Sequence, residues 1–424
     1  MDCVPLALPV LEWTPRSEHW QSQWHTTTNP FSTCFREANT FTTPRDLSGK
    51  QRLGIVGWVG QEIAFNHLSR RSVMEEQRGL LIALDSVGID PLGHDRDESV
   101  YSESRFLFPR GRQGDPLEIS DGPIPGALVA TDVAEGRDQG AIECDITYAS
   151  IFSGQSALSQ HGLMQGLGLN HAVLESLISE SNLFQILPES CLANAIFPAN
   201  LDFLGTTYTT DLVPCLAREE AEAGLRLRDE SIRFTGKDRR GLPELFTACE
   251  INQNVFVHAA RQAGLRLSTW DDVRDGEALT ASMTHELENE FNLDFLGQDP
   301  LPNRSPEEAG RILAKLAERH RFTFYKYQLA DMVSHAGKVE SARAVFAIIE
   351  RFLNAVLEQV DPRETLVVVT SDHGHLEQVE FTMGHPKSLV PTWCFGLDAV
   401  ERASALRRPE NIFHLFAGLA AVES

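Results

Sequence analysis

Six acidic and imidazole residues of this 424-residue chain have the types and positions of metal ligands: Asp85, Asp331, His335, Asp372, His373 and His385. Asp85 closes the apolar run Gly79-Leu80-Leu81-Ile82-Ala83-Leu84. Asp372 and His373 close a second run, Thr365-Leu366-Val367-Val368-Val369-Thr370-Ser371. Asp331 lies just beyond Phe322-Thr323-Phe324-Tyr325-Lys326-Tyr327, and His335 follows it by four residues, on the same face if the segment turns helically. His385 sits in Met383-Gly384-His385-Pro386. Carboxylate oxygens and imidazole nitrogens in this number suit Mn²⁺ or Zn²⁺, with Mg²⁺ as a third option. Two such cations about 3.5–4 Å apart can clamp the attacking and leaving oxygens of an in-line phosphoryl displacement. Taken singly, Asp85 could be a strand-end cap and Asp331 with His335 a surface pair. Asp372-His373 is harder to dismiss, because two ionisable groups closing a buried strand are costly without partners. His375, His94 and His414 gain nothing from their spacing and read as ordinary histidines.

The elements that must hold these residues are legible as a pattern. Runs apolar on both faces read as buried parallel strands. Ser305-Pro306-Glu307-Glu308 opens a helix with an N-cap, a proline at the first helical position and a capping box. A longer helix over about 339–360 carries Val345, Ile348, Ile349, Phe352, Leu353 and Val356 as a core-facing stripe. Helix alternating with strand predicts an α/β, doubly wound, mainly parallel sheet. In such sheets ligands bind beyond the carboxyl ends of the strands, so the six residues converge on one crevice. Residues 79–160 and 301–424 read as the core. Residues 92–146 read as long loops with short strands, and residues 161–300 as an inserted, mainly helical cap without a clear parallel-strand run, its helices expected at His171–Ser179, Gln253–Ala263 and Ala278–Glu290. Residues 1–78 read as an N-terminal extension without an assignable role.

With 42% hydrophobic residues the chain can bury two domains or one large domain with an insertion. Its net charge of −23 argues against nucleic acid and anionic membrane, both of which call for Lys and Arg. An anionic substrate then needs metal ions or local cations to reverse the field. Lys387, Arg110, Arg112, Arg239 and Arg240 are candidates, each equally readable as a surface charge. The seven cysteines form no CxxC pair, which suits a reducing compartment. No window approaches the ~20 apolar residues that span a bilayer, and the first residues lack the basic start of a secretory signal. These features predict a cytoplasmic protein.

Leu84-Asp85-Ser86-Val87-Gly88, Ala330-Asp331-Met332-Val333-Ser334-His335-Ala336-Gly337, Thr370-Ser371-Asp372-His373-Gly374 and Gly384-His385-Pro386 resemble the metal-binding motifs of the alkaline phosphatase superfamily. Within it they are most similar to the branch of cofactor-independent phosphoglycerate mutase and phosphopentomutase. The resemblance spans roughly Gly79 to Gly396, with Cys191-Leu192-Ala193-Asn194-Ala195 also fitting. It implies an alkaline-phosphatase-like core and two divalent metal ions. Asp331, His335 and His385 would hold one, and Asp85, Asp372 and His373 the other together with a nucleophile. It further implies a small phosphorylated metabolite as substrate, acted on by a phosphatase or phosphomutase through a metal-activated hydroxyl.

The family pattern sets a Ser or Thr three residues before a Gly at the start of a helix, where amides can receive phosphate. Three before Gly154 stands Ile151, which cannot attack. Ser150 serves after a one-residue shift, and Ser153 if the turn is remodelled. The alternative is a metal-binding protein without turnover that acts on a partner. Sulfate-ester chemistry ranks lower, for lack of a Cys/Ser-x-Pro-x-Arg context near residue 150.

Overall fold

The computed structural model describes residues 77–111, 114–135, 144–161, 176–179, 181–195, 225–228, 231–234, 255–285, 288–289, 299–335, 339–379 and 385–420. Almost all of the N-terminal extension, together with Arg112, Arg239 and Arg240, lies outside them. The centre is a seven-stranded sheet in the order β2-β3-β9-β8-β1-β7-β4. Its strands are β1 (Arg78–Leu84), β2 (Leu117–Ile119), β3 (Gly126–Thr131), β4 (Ser190–Leu192), β7 (Phe322–Tyr327), β8 (Thr365–Ser371) and β9 (Val390–Gly396). β1 runs parallel to both neighbours, with Leu84 level with Tyr327 and with Ser371, and β4 is parallel to β7. β9 is antiparallel to β8 and to β3, and β2 is antiparallel to β3. A separate hairpin pairs β5 (Leu225–Arg228) with β6 (Ser231–Phe234).

Why β1 is apolar throughout follows from its two covered faces. Leu81 and Ala83 join a core with α1 (Cys144–Ser153), α2 (Val255–Gln262) and α7 (Glu410–Ala420). Leu80, Ile82 and Leu84 face the opposite core, built with α4 (Pro306–Arg319) and α6 (Val339–Leu357). Burying each such Leu or Ile is worth about 1.5–3 kcal/mol. The result is the doubly wound α/β sheet that the strand pattern predicts. α4 starts at Pro306, with Ser305 as N-cap and the capping box formed with Glu308. The stripe on α6 is buried at Val345, Ile349, Phe352, Leu353 and Val356, with Ile348 partly buried.

Among its described residues, the stretch 161–300 departs from its expectation at the β5–β6 hairpin and in two further places. It supplies β4, a three-residue edge strand too short to leave a readable run. Residues 278–285 form turns and a bridge between Leu279 and Asn194 where a helix is expected. Their apolar residues are buried on more than one side, which mimics a helical period. α2 fills most of the expected 253–263 helix. α3 (Trp270–Arg274) and α5 (Leu329–His335) complete the elements used below. No described helix is long and apolar enough to cross a membrane.

Candidate metal centre

The carboxyl ends of β1, β7 and β8 lie side by side, so the residues that follow them meet. Asp85, Asp372 and His373 come together there with Cys144, the first described residue of α1. One ligand atom from each of the four lies within 4.8 Å of the others. His373 Nε2 is 3.3 Å from Asp85 Oδ1 and 3.3 Å from Cys144 Sγ, and Cys144 Sγ is 3.9 Å from Asp85 Oδ1. Asp85, Asp372 and His373 are buried, while Cys144 is half-buried. Asp331, His375 and His385 form a second such group, less buried than the first. The two groups adjoin, because the rings of His373 and His385 stack with centroids 3.7 Å apart.

Backbone amides fix the first group. Asp372 Oδ1 accepts the Ser86 and His373 amides at 3.3 and 3.0 Å. Asp372 Oδ2, equally buried, accepts no hydrogen bond. A carboxylate oxygen so placed is costly unless a cation or donor meets it. An orphaned buried oxygen beside another carboxylate, an imidazole and a thiol fits a divalent metal ion. Lys326, buried in β7, sets its Nζ 2.9 Å from Asp85 Oδ2.

The electrostatics follow from this crowding. Burial pushes the Asp372 carboxyl up, the Asp85 charge adds to it, and its pKa reaches about 6. Burial also disfavours charge on Asp85, but Lys326 prevails and holds that carboxyl below its ordinary range. On His373 burial is outweighed by Asp372 and Asp85, which raise its pKa to about 10. The Cys144 thiol is pushed well up, by burial first and then by the two carboxylates.

Two glycines let the motif loops close on one another. A Cβ at Gly88 or Gly374 would run into the carboxylate of Glu377. That buried carboxylate accepts the Gly88 amide at 2.9 Å and the His375 amide at 3.0 Å, tying the Asp85 loop to the His373 loop. Ser86 stands between the two groups with φ of 68°, a conformation that non-glycine residues adopt rarely and mostly at functional sites. Its hydroxyl donates to Asp331 Oδ1 and lies 3.3 Å from His373 Nδ1.

Of the residues expected from sequence, Asp85, Asp372 and His373 meet in one group and Asp331 and His385 in the other. His335 is in α5, but its side chain lies outside the described residues. The two candidate serines both engage backbone groups. Ser150 donates to the Ile146 carbonyl at 3.0 Å and accepts the Ala157 amide at 3.0 Å. Ser153 donates to the Ala149 carbonyl at 2.6 Å and accepts the Gln155 amide at 3.2 Å. Both tie off the carboxyl end of α1; at ~1.5 Å per residue Ser150 stands about 9 Å along the axis from Cys144. Ile151 is simply core, 1% exposed. His375, which its spacing did not mark, lies beside Asp331 and His385. Lys387 is exposed, and Arg110 donates to the Ser102 carbonyl.

Sequence reasoning missed Cys144, His375, Lys326 and Glu377. Lys326 had a signal, a lone charge inside a strand otherwise apolar on both faces. Cys144 had none, because a single cysteine at a helix start carries no spacing to read.

Residues 298–420 match the family model described as Metalloenzyme superfamily. The 2,3-bisphosphoglycerate-independent phosphoglycerate mutase of Sulfurimonas denitrificans is 28% identical over 101 residues, 23% of this chain and 21% of that protein. The same enzyme from Wolinella succinogenes is 29% identical over 94 residues, 22% of this chain and 19% of that protein. The matched stretch thus spans about a fifth of each relative's length. Among solved structures, the PH0037 protein from Pyrococcus horikoshii superposes at a TM-score of 0.43 and 16% identity, covering 82% of this chain and 97% of that one. Alkaline phosphatase from the Antarctic bacterium TAB5 superposes at 0.33 and 11% identity, covering 81% and 98%. The segment that matches the Metalloenzyme superfamily model, residues 298–420, holds Asp331, His335, Asp372, His373, His375 and His385.

Proposed function

We propose that this chain is a divalent-metal-dependent enzyme that transfers or hydrolyses the phosphate monoester of a small metabolite. The observation that carries this reading is the stacking of His373 on His385, which sets two ligand groups from distant chain segments against each other. In this reading Asp85, Asp372 and His373 hold one cation, and Asp331, His335 and His385 hold a second, with His375 beside it. Cations bound there supply Lewis acidity, polarising phosphoryl oxygens and offsetting charge that builds during displacement. The chain's own residues do the positioning. Lys326 offsets the charge of Asp85, and the amides on Asp372 Oδ1 leave Oδ2 turned to a ligand. Glu377 and Ser86 keep the strand-end loops in register with each other. Water completing the reaction gives a phosphatase; a retained, reoriented substrate gives a mutase. A cytoplasmic setting, where the cysteines stay reduced, belongs to this reading.

The test is phosphate release from an aryl phosphate with Mn²⁺ or Zn²⁺. Activity in the wild type and its loss in Asp372→Ala are expected. A wild type that neither binds metal nor hydrolyses the ester would sink the reading. The engagement of both Ser150 and Ser153 with backbone favours one rival, a metal-binding protein without turnover. Stoichiometric metal with no turnover across a panel of phosphorylated metabolites would select it.

A further inference from the structure

We propose that Cys144 is a sulfur ligand of the buried group and makes that half of the centre selective for a thiophilic cation such as Zn²⁺ over Mn²⁺ or Mg²⁺. This rests on the metal-binding part of the reading above and not on turnover.

Geometry places the thiol among the ligands. Its sulfur is 3.3 Å from His373 Nε2 and 3.9 Å from Asp85 Oδ1, and one atom each of Cys144, Asp85, Asp372 and His373 falls within a 4.8 Å span. A second observation, independent of the thiol, points to a cation at the same place. Asp372 is fully buried and its Oδ2 accepts no hydrogen bond. Two carboxylates, an imidazole and a thiolate give four donors, the number a tetrahedral zinc site takes. Asp331, His375 and His385 offer only oxygen and nitrogen. Thiolates favour zinc, whereas carboxylate-rich sets admit Mn²⁺ and Mg²⁺. The two halves of the centre are therefore unlike, and only the buried group carries a sulfur donor. Binding replaces the thiol proton by the cation, so no oxidant or reductant is needed.

The experiment titrates the metal-free full chain with Co²⁺ and then displaces it with Zn²⁺ or Mn²⁺. The wild type is expected to show a near-ultraviolet sulfur-to-cobalt charge-transfer band, absent in Cys144→Ser and retained in Cys191→Ser. Cys144→Ser should also lose its zinc-over-manganese preference by roughly tenfold or more, a scale that even outer-shell partners reach. Alkylation of wild-type Cys144 by iodoacetamide, located by peptide mass, should slow when Zn²⁺ is added; this covers a variant that fails to fold. A charge-transfer band and zinc preference unchanged in Cys144→Ser, or alkylation indifferent to Zn²⁺, would overturn the proposal. Aryl phosphatase activity without the sulfur band sinks this inference alone; the band without activity sinks only the catalytic reading.

Discussion

The two ligand groups are built at the same sheet edge, yet they differ in how tightly the chain holds them. Asp85, Asp372 and His373 directly follow central strands and are buried, with amides and Lys326 fixing their carboxylates. Asp331 and His385 come from a helix and a loop, and their side chains stay about a fifth exposed. Strand ends are rigid, because the ladder on each side fixes both position and direction. The buried group is thus preorganised and electrostatically costly without a cation, whereas the other is less tightly held. One half of the centre holds charge; the other half can yield.

The largest expected effect tests that asymmetry directly. Asp372→Ala should abolish metal binding at the buried group and lower activity by about 10²-fold or more, the cost of losing a main electrostatic contributor. His375→Ala should cost less, on the order of tenfold. Equal losses, measured as kcat/KM with bound metal counted, would erase the distinction between the groups.

Next in size is the pH dependence of metal affinity. His373, with its pKa raised to about 10, carries a proton at neutral pH that a cation must displace. Affinity at the buried group should therefore rise with pH, by about tenfold per unit for the His373 proton alone and about a hundredfold per unit if the Cys144 thiol proton is displaced as well. Competition titrations between pH 6 and 8 check this. A flat profile would mean that no proton leaves.

Ser150→Ala should leave turnover unchanged and cost about 1–3 kcal/mol of stability, since it strips the buried Ala157 amide of its acceptor. Chemical denaturation beside an activity assay separates the two, and lost activity in a folded variant would restore the serine to catalysis. The smallest effect is remote from the centre. Asp272 caps α3, and its carboxyl is held below its ordinary 3.8 chiefly by the Arg266 hydrogen bond. A lowered folded pKa gives stability that is present above pH 3.8 and lost as pH falls toward the folded value. Arg266 is largely exposed, so Arg266→Ala should cost under about 1 kcal/mol at pH 7 and nothing once Asp272 is protonated. Thermal unfolding at both pH values reads the difference.

Much of the sheet was legible because its central strands are apolar on both faces, a pattern few other structures need. β1, β7, β8, α4 and α6 fall within a few residues of their expected bounds. β4 escaped notice because three residues carry no period, and 278–285 misled because burial from several sides imitates a helix. The centre divides the same way. Asp85, Asp372 and His373 stand at the ends of obvious strands, so their convergence follows from strand direction. Cys144 and His375 belong to it only through folding, since neither spacing nor type sets them apart locally. Ser150 and Ser153 looked reactive for the opposite reason: a hydroxyl in sequence does not reveal that a backbone carbonyl has claimed it.

By itself, then, the sequence determined a mainly parallel α/β sheet with acidic and imidazole groups at its carboxyl edge, because hydrophobic period and strand polarity are local properties. Only the tertiary structure decided which thiol joined those groups and which hydroxyls were spent on a helix end. Those outcomes depend on which side chains remain unsatisfied once distant segments are packed, and no short stretch of chain records that.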